Sequence, residues 1–285
     1  MSEKLAMDGL PPLREVIAKH ELAAKKSLGQ NFLCDLNLTS RIARYAGALD
    51  GVTVLEIGPG PGGLTRALLF EGAKRVLAVE MDPRALPALK EISDHYDGKL
   101  DYILGDALKV DIASQLSGRV KVIANLPYNV ATILLLNWLE HDPWPAWFES
   151  LTLMFQKEVA ERIVARPNSK AYGRLSVICQ WRCECQIAFN VDRANFMPPP
   201  KVTSSIVHLV PKPLAADAPS LKSLSAITLA AFNQRRKMLR ASLKKTLPNA
   251  IEFLTALDID PTLRADALGV DDYLRIAKKF EQLEA

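Results

Sequence analysis

The residues richest in chemistry lie in and after a run of glycines. Gly58-Pro59-Gly60-Pro61-Gly62-Gly63 follows Val52, Val54, Leu55 and Ile57 and precedes Leu64, so a buried strand runs into a tight turn and then a helix. Glycines let the backbone turn sharply and approach a ligand closely. The stretch satisfies G-x-G-x-x-G, a dinucleotide pattern that is weak alone. A pyrophosphate wants backbone N–H donors at a helix N-terminus, yet Pro59 and Pro61 each delete a donor and Glu56 adds negative charge before the turn. NAD is therefore disfavoured. S-adenosylmethionine, a nucleoside cofactor with a cationic sulfonium and no phosphate, suits the turn better.

Asn125-Leu126-Pro127-Tyr128 carries a second chemistry. An exocyclic base amine is a poor nucleophile because its lone pair is delocalised into the ring. Acceptors aimed at both N–H bonds would pull the nitrogen toward tetrahedral geometry. Asn125 offers a side-chain oxygen, and the turn stiffened by Pro127 can aim the Leu126 carbonyl at the same place. Tyr128 offers a face on which an extruded or unpaired base can stack. Transfer from a sulfonium is an in-line displacement that needs no strong base, so positioning supplies most of the acceleration. Asn-x-Pro is also common in ordinary strand-end turns, so the stretch gains meaning only from its neighbours.

Those neighbours are strands. Arg75-Val76-Leu77-Ala78-Val79-Glu80 reads as a buried strand ending in acid. Glu80 lies roughly twenty residues beyond the turn, where a βαβ unit places a carboxylate on ribose hydroxyls; the alternative is a solvated strand end. Leu100–Leu104 is followed by Gly105-Asp106, whose carboxylate either accepts from an adenine amino group or caps the next segment. Val120–Ala124 leads into Asn125. In an open parallel sheet the carboxyl ends of strands line the binding crevice, so Gly58, Glu80, Asp106 and Asn125 are expected to converge.

Upstream, Leu10-Pro11-Pro12 breaks the chain before a short helix, and Asp35 can cap a helix with Leu38, Ile42 and Ala46 inside. Between them, residues 28–33 form a polar loop ending in Phe32 and Leu33, either a docked connector or a flap over a cofactor. Further strand and helix patterns follow through residues 151–181. Two last strands, Cys183–Val191 and 202–210, bracket Asn195-Phe196-Met197-Pro198-Pro199-Pro200, which consecutive prolines hold extended. From Pro211 a linker leads to helical patterns alone.

The 285 residues are 49% hydrophobic and 24% charged, which suits a large domain plus a small one. No apolar run approaches the ~20 residues of a membrane span, and the N-terminus resembles neither a signal nor a transit peptide, so a cytoplasmic protein is expected. A net charge of +4 is modest, but its distribution is not even. Lys19, Lys25 and Lys26 precede the core, and Arg235, Arg236, Lys237, Arg240, Lys244 and Lys245 crowd one segment. They suit phosphate contacts, or a solvated helix face. Cys179, Cys183 and Cys185 lack a C-x-x-C spacing and Cys34 is remote, so no metal is expected. The four histidines are isolated.

Taken together, Leu28-Gly29-Gln30-Asn31-Phe32-Leu33, Glu56-Ile57-Gly58-Pro59-Gly60, Asn125-Leu126-Pro127-Tyr128-Asn129 and Phe196-Met197-Pro198-Pro199-Pro200-Lys201-Val202 resemble, in order and essentially end to end, the signatures of the dimethyladenosine transferases of small-subunit ribosomal RNA. The resemblance implies a Rossmann-like class I methyltransferase, α/β with a mostly parallel seven-stranded sheet, at 1–210, and a small helical RNA-binding domain at 211–285; the N-terminal basic extension departs from the family's pattern over about its first 20 residues. It implies that Asn31, Leu33, Gly58, Glu80, Asp106 and Asn125 hold S-adenosylmethionine, that Asn125, Leu126, Pro127 and Tyr128 act at the reacting amine, and that Phe196 helps Tyr128 hold the adenine. Arg235, Arg236, Lys237 and Arg240 lie in a stretch similar to the family's C-terminal basic segment. The implied reaction gives two methyls to N6 of each of two adjacent adenosines in the 3′-terminal hairpin of 16S ribosomal RNA, with the immature 30S particle as partner and the protein a monomer. Resistance-conferring ribosomal dimethylases share the core but match the Asn-Leu-Pro-Tyr-Asn and C-terminal stretches less well. The competing readings are an assembly factor with dispensable catalysis and a small-molecule or protein amine methyltransferase, which has no use for two basic stretches.

Overall fold

The computed structural model describes residues 6–25, 28–140, 144 and 146–284; Lys26, named above, and one of the four histidines, His141, lie outside them. The strands are β1 (Phe32–Leu33), β2 (Thr53–Ile57), β3 (Arg75–Glu80), β4 (Leu100–Leu104), β5 (Val120–Ala124), β6 (Ser150–Gln156), β7 (Cys183–Val191), β8 (Phe196–Met197) and β9 (Ser204–Pro211). The helices are α1 (Leu13–Lys19), α2 (Leu36–Tyr45), α3 (Gly63–Phe70), α4 (Leu86–His95), α5 (Ala131–Leu139), α6 (Lys157–Ile163), α7 (Arg174–Arg182), α8 (Leu221–Asn233), α9 (Leu239–Ser242), α10 (Ala250–Thr255) and α11 (Val270–Glu284).

Seven strands form one sheet in the order β4-β3-β2-β5-β6-β9-β7. The first five run parallel, and β9 runs antiparallel to β6 with Leu153 opposite Val207. Every residue of β2 and β5 is buried, the property that their near-continuous apolar runs announce. Because β2 is flanked by β3 and by β5, the strand order reverses there, and the ends of β2 and β5 open a crevice. Local signals act as their chemistry suggests. Asp35 accepts from the Asn37 amide and starts α2. Gly72, at φ +92°, lies just beyond the end of α3.

The chain divides into two compact units, but not at a single cut. The first comprises residues 1–138, 146–157 and 186–210, and the second 139–145, 158–185 and 211–285. The boundary expected at 210 is corrected accordingly. Its physical reason is the apolar core of the second unit, where Tyr172, Val177 and Trp181 are buried in one cluster with Leu224, Leu243 and Phe253. Nor is the basic stretch one helix: α8 stops at Asn233, and Met238 forms a bridge with Arg264 before α9 begins.

The N-terminal segment, expected only as a short helix and basic lead-in, is tied down. Leu13, Val16, Ile17 and Leu22 enter the core of the first unit. Asp8 forms a two-pronged pair with Arg66, Nε to Oδ2 at 2.6 Å and Nη2 to Oδ1 at 2.5 Å, both side chains 1% exposed. Burial raises the Asp8 carboxyl, but the Arg66 guanidinium more than offsets this and leaves it below its usual range.

A candidate cofactor and base site

A cavity of about 280 Å³ lies in the first unit at the ends of β2, β3, β4 and β5, under residues 28–33. Asn31, Leu33, Gly58, Glu80, Asp106 and Asn125 all line it, as do Leu126, Pro127 and Tyr128. Four strand ends and the flap that the sequence placed separately thus share one cavity.

Glu80 is 4% exposed and is held by three backbone amides. Gly60 N–H donates to Oε2 at 2.8 Å, and Met81 and Asp82 N–H donate to Oε1 at 2.8 and 2.7 Å. The carboxylate therefore fixes the glycine turn to the end of β3 as well as facing the cavity. Burial raises its pKa despite these bonds. Glu56, which the sequence offered only as a charge near the turn, is a second buried carboxyl on the lining. Thr65 donates to it at 2.6 Å; burial, with the Glu80 charge as a lesser contribution, pushes it up to about 8. Asp106 lines the cavity and also accepts from the Leu108 amide at 3.0 Å, so its capping role is realised alongside its place in the site.

Asn125 is oriented by the flap. Its Nδ2 donates to the Asn31 carbonyl at 3.2 Å, which leaves Oδ1 as the end of the amide free to accept. Asn31 in turn donates from its side chain to the Gly29 carbonyl at 3.3 Å. Tyr128 is half-buried, and its hydroxyl lies 2.5 Å from Ser204 Oγ.

Phe196 departs from expectation. It is 4% exposed, is absent from the cavity lining, and packs in the apolar core where β8 pairs with β1, Phe196 opposite Leu33. Its side chain packs in the core beside the strand that carries Leu33 and is not itself part of the cavity wall. The glycines need a similar correction. A Cβ on Gly62 would lie 2.1 Å from Ile92 Cδ1 and one on Gly63 2.3 Å from the Leu33 carbonyl oxygen, so at these two positions it is protein, not ligand, that approaches closely.

The flap has a clamp that no motif announced. Gln30 Nε2 donates to Asp82 Oδ2 at 3.1 Å, and Arg84 grips Asp82 while donating to the carbonyls of Glu21 and Ala23. The guanidinium beside it holds the Asp82 carboxyl down at about 2. Nothing in sequence spacing links Asp82 to residue 30, 52 positions away.

In the second unit, Arg236, Lys237 and Arg240 are exposed. Arg235 is not free: it donates to the carbonyls of Lys170 and Ser169 at 2.7 and 3.0 Å and pairs with Asp266 at 3.3 Å.

With this geometry in place, comparison with known proteins is decisive. The sequence profile described as ribosomal RNA adenine dimethylase matches residues 21–282. The chain belongs to that family. Among curated members of the dimethylase family and their kin, the ribosomal RNA small subunit methyltransferase A of Xanthobacter autotrophicus is 60% identical over 283 residues, covering 98% of this chain and 97% of its own. The same-named protein of Ruegeria sp. is 56% identical over 277 residues, covering 97% and 99%. Of solved structures, a dimethyladenosine transferase from Plasmodium falciparum superposes with a TM-score of 0.71 at 28% identity over 85% of this chain and 95% of that one. The 23S rRNA methyltransferase ErmE gives 0.63 at 26% identity over 90% and 100%. The parallel sheet and its antiparallel β9 are thus the class I methyltransferase fold of this dimethylase family. Among the described residues no helix is long and apolar enough to cross a membrane.

Proposed function

We propose that this chain transfers methyl groups from S-adenosylmethionine to N6 of adenosines in small-subunit ribosomal RNA, giving dimethyladenosine. The observation that carries the reading is the orientation of Asn125, whose Nδ2 is committed to Asn31 so that Oδ1 can accept from a base amine beside Leu126, Pro127 and Tyr128. The residues also fit the cofactor. Two buried carboxyls, Glu56 and Glu80, border the cavity, where a cationic ligand would favour their ionised forms against the burial that raises both pKa values, and Gly58 and Gly60 turn the chain at its wall. Asn31, Leu33, Gly58, Glu80, Asp106 and Asn125 would hold the cofactor, which supplies an electrophilic methyl when bound.

This chain's own part is positioning. Asn125 Oδ1 and the Leu126 carbonyl take the two N–H bonds of the amine, Pro127 fixes the angle between them, and Tyr128 stacks on the ring. Two adjacent adenosines of the 3′-terminal hairpin, presented on an immature 30S particle to a monomeric enzyme in the cytoplasm, are the expected target. Arg236, Lys237 and Arg240 are the expected phosphate contacts. Undermodified small-subunit RNA or particles incubated with labelled S-adenosylmethionine should acquire dimethyladenosine. Tyr128→Ala should lose about 1–3 kcal/mol of base stacking and with it methyl transfer, while calorimetry shows most cofactor affinity kept. Cofactor binding that collapses together with activity would move Tyr128 out of the base-binding role.

A further inference from the structure

Tyr128 follows a strand end by four residues, and a tyrosine on a turn can swing about two side-chain torsions. A stacking platform that swings presents the base at many angles, of which few align its amine with Asn125. The structure restrains this one at its far end. Its hydroxyl lies 2.5 Å from Ser204 Oγ, with either atom able to donate. Ser204 is a firm anchor: it is the first residue of β9, is fully buried and pairs with Gln156 of β6, and the neighbouring Thr203 carbonyl accepts from Lys157 N at 2.9 Å. The start of β9, two strands away from β5 in the sheet, is therefore tied to the turn after β5 through one pair of hydroxyls. Nothing about Ser204 singled it out in the sequence, because it lies 76 residues from Tyr128.

We infer that Ser204 is a positioning residue for the methyl transfer, fixing the direction of the Tyr128 ring axis against a swing about its first side-chain torsion so that a stacked adenine presents its amine to Asn125. The inference rests on the reading of Tyr128 as the base platform. It implies that the hydroxyl of Tyr128 is spent on orientation, not on contact with the base, and that its loss is felt after RNA is bound. RNA affinity comes mainly from phosphate contacts elsewhere, so the effect belongs in kcat.

The test is a double-mutant cycle with Ser204→Ala and Tyr128→Phe, each of which removes the bond from one side. Steady-state kinetics on small-subunit RNA or particles should show kcat lowered by about 2- to 12-fold in each, the scale of one immobilised side chain. The RNA KM and the calorimetric S-adenosylmethionine affinity should be unchanged, and the double variant should be no slower than either single. Wild-type kcat in Ser204→Ala or in Tyr128→Phe would overturn the inference, as would losses that multiply in the double variant. Should Ser204→Ala not fold, Tyr128→Phe still decides, since it leaves Ser204 in place. Tyr128→Ala separates the two readings: if it is fully active, the base-platform reading itself fails, whereas if it is inactive beside an unimpaired Tyr128→Phe, only the role of Ser204 does.

Discussion

Glu56 is a carboxyl group with almost no access to water and another carboxyl beside it. Its folded pKa of about 8 stands above its ordinary 4.5, so between those values the unfolded chain gives up this proton while the folded one keeps it. Stability must then fall as pH rises from about 4.5 to about 8, with no contribution to the slope outside that window. Glu56→Gln keeps the shape and cannot titrate. Ligand-free melting temperatures of wild type, plotted against those of the Gln variant, should decline across that window. Parallel curves would show that Glu56 is ionised in the fold. Glu80 has the same sign of shift but stays in both proteins, so the difference isolates Glu56. At this scale the sequence was a good guide to which residues face the cavity and a poor guide to what else they do. Spacing located Glu80, but the three amides that occupy it come from the turn geometry itself.

The glycine turn and β1 behave as one piece. A methyl group at Gly63 would meet the Leu33 carbonyl oxygen at 2.3 Å and Leu13 Cδ2 at 2.9 Å, and a backbone oxygen in a paired strand cannot move aside as a side-chain end can. Gly63→Ala should therefore destabilise the protein by about 1–3 kcal/mol, the range for overpacking a filled site. It should also weaken S-adenosylmethionine, because displacing Leu33 deforms the cavity wall. Urea unfolding and calorimetry on the same variant check both; a stable variant with normal affinity would mean that β1 is free to shift. Strands and short helices were legible because apolar runs, caps and glycine stops are local. The break between α8 and α9 was not. Phe232, Leu239 and Leu243 fit helical spacing, yet α8 ends at Asn233 and Met238 pairs with Arg264, a distant partner that the local pattern does not contain.

For the molecule as a whole, the net charge of +4 named no partner, and the clustering of basic residues suited phosphate contacts or a solvated face without saying which cations were free. Arg236, Lys237 and Arg240 are exposed and are not on the cavity wall. Replacing all three with Ala should weaken RNA or particle binding most at low salt and flatten its salt dependence by about 0.7–0.9 per lost phosphate contact, leaving S-adenosylmethionine affinity intact. Lines that stay parallel to wild type across a salt series would return these residues to a solvated surface. Arg235→Ala should instead lower the melting temperature, since Arg235 ties Ser169, Lys170 and Asp266 together. The interleaving of the two units has a further consequence, for inheritance. A gene segment starting at codon 211 would carry the long helices α8 and α11 but not Tyr172, Val177 or Trp181, which complete their core. A segment cut at that point is therefore an incomplete folding unit, and the second unit cannot be moved to another protein as one contiguous cassette starting there.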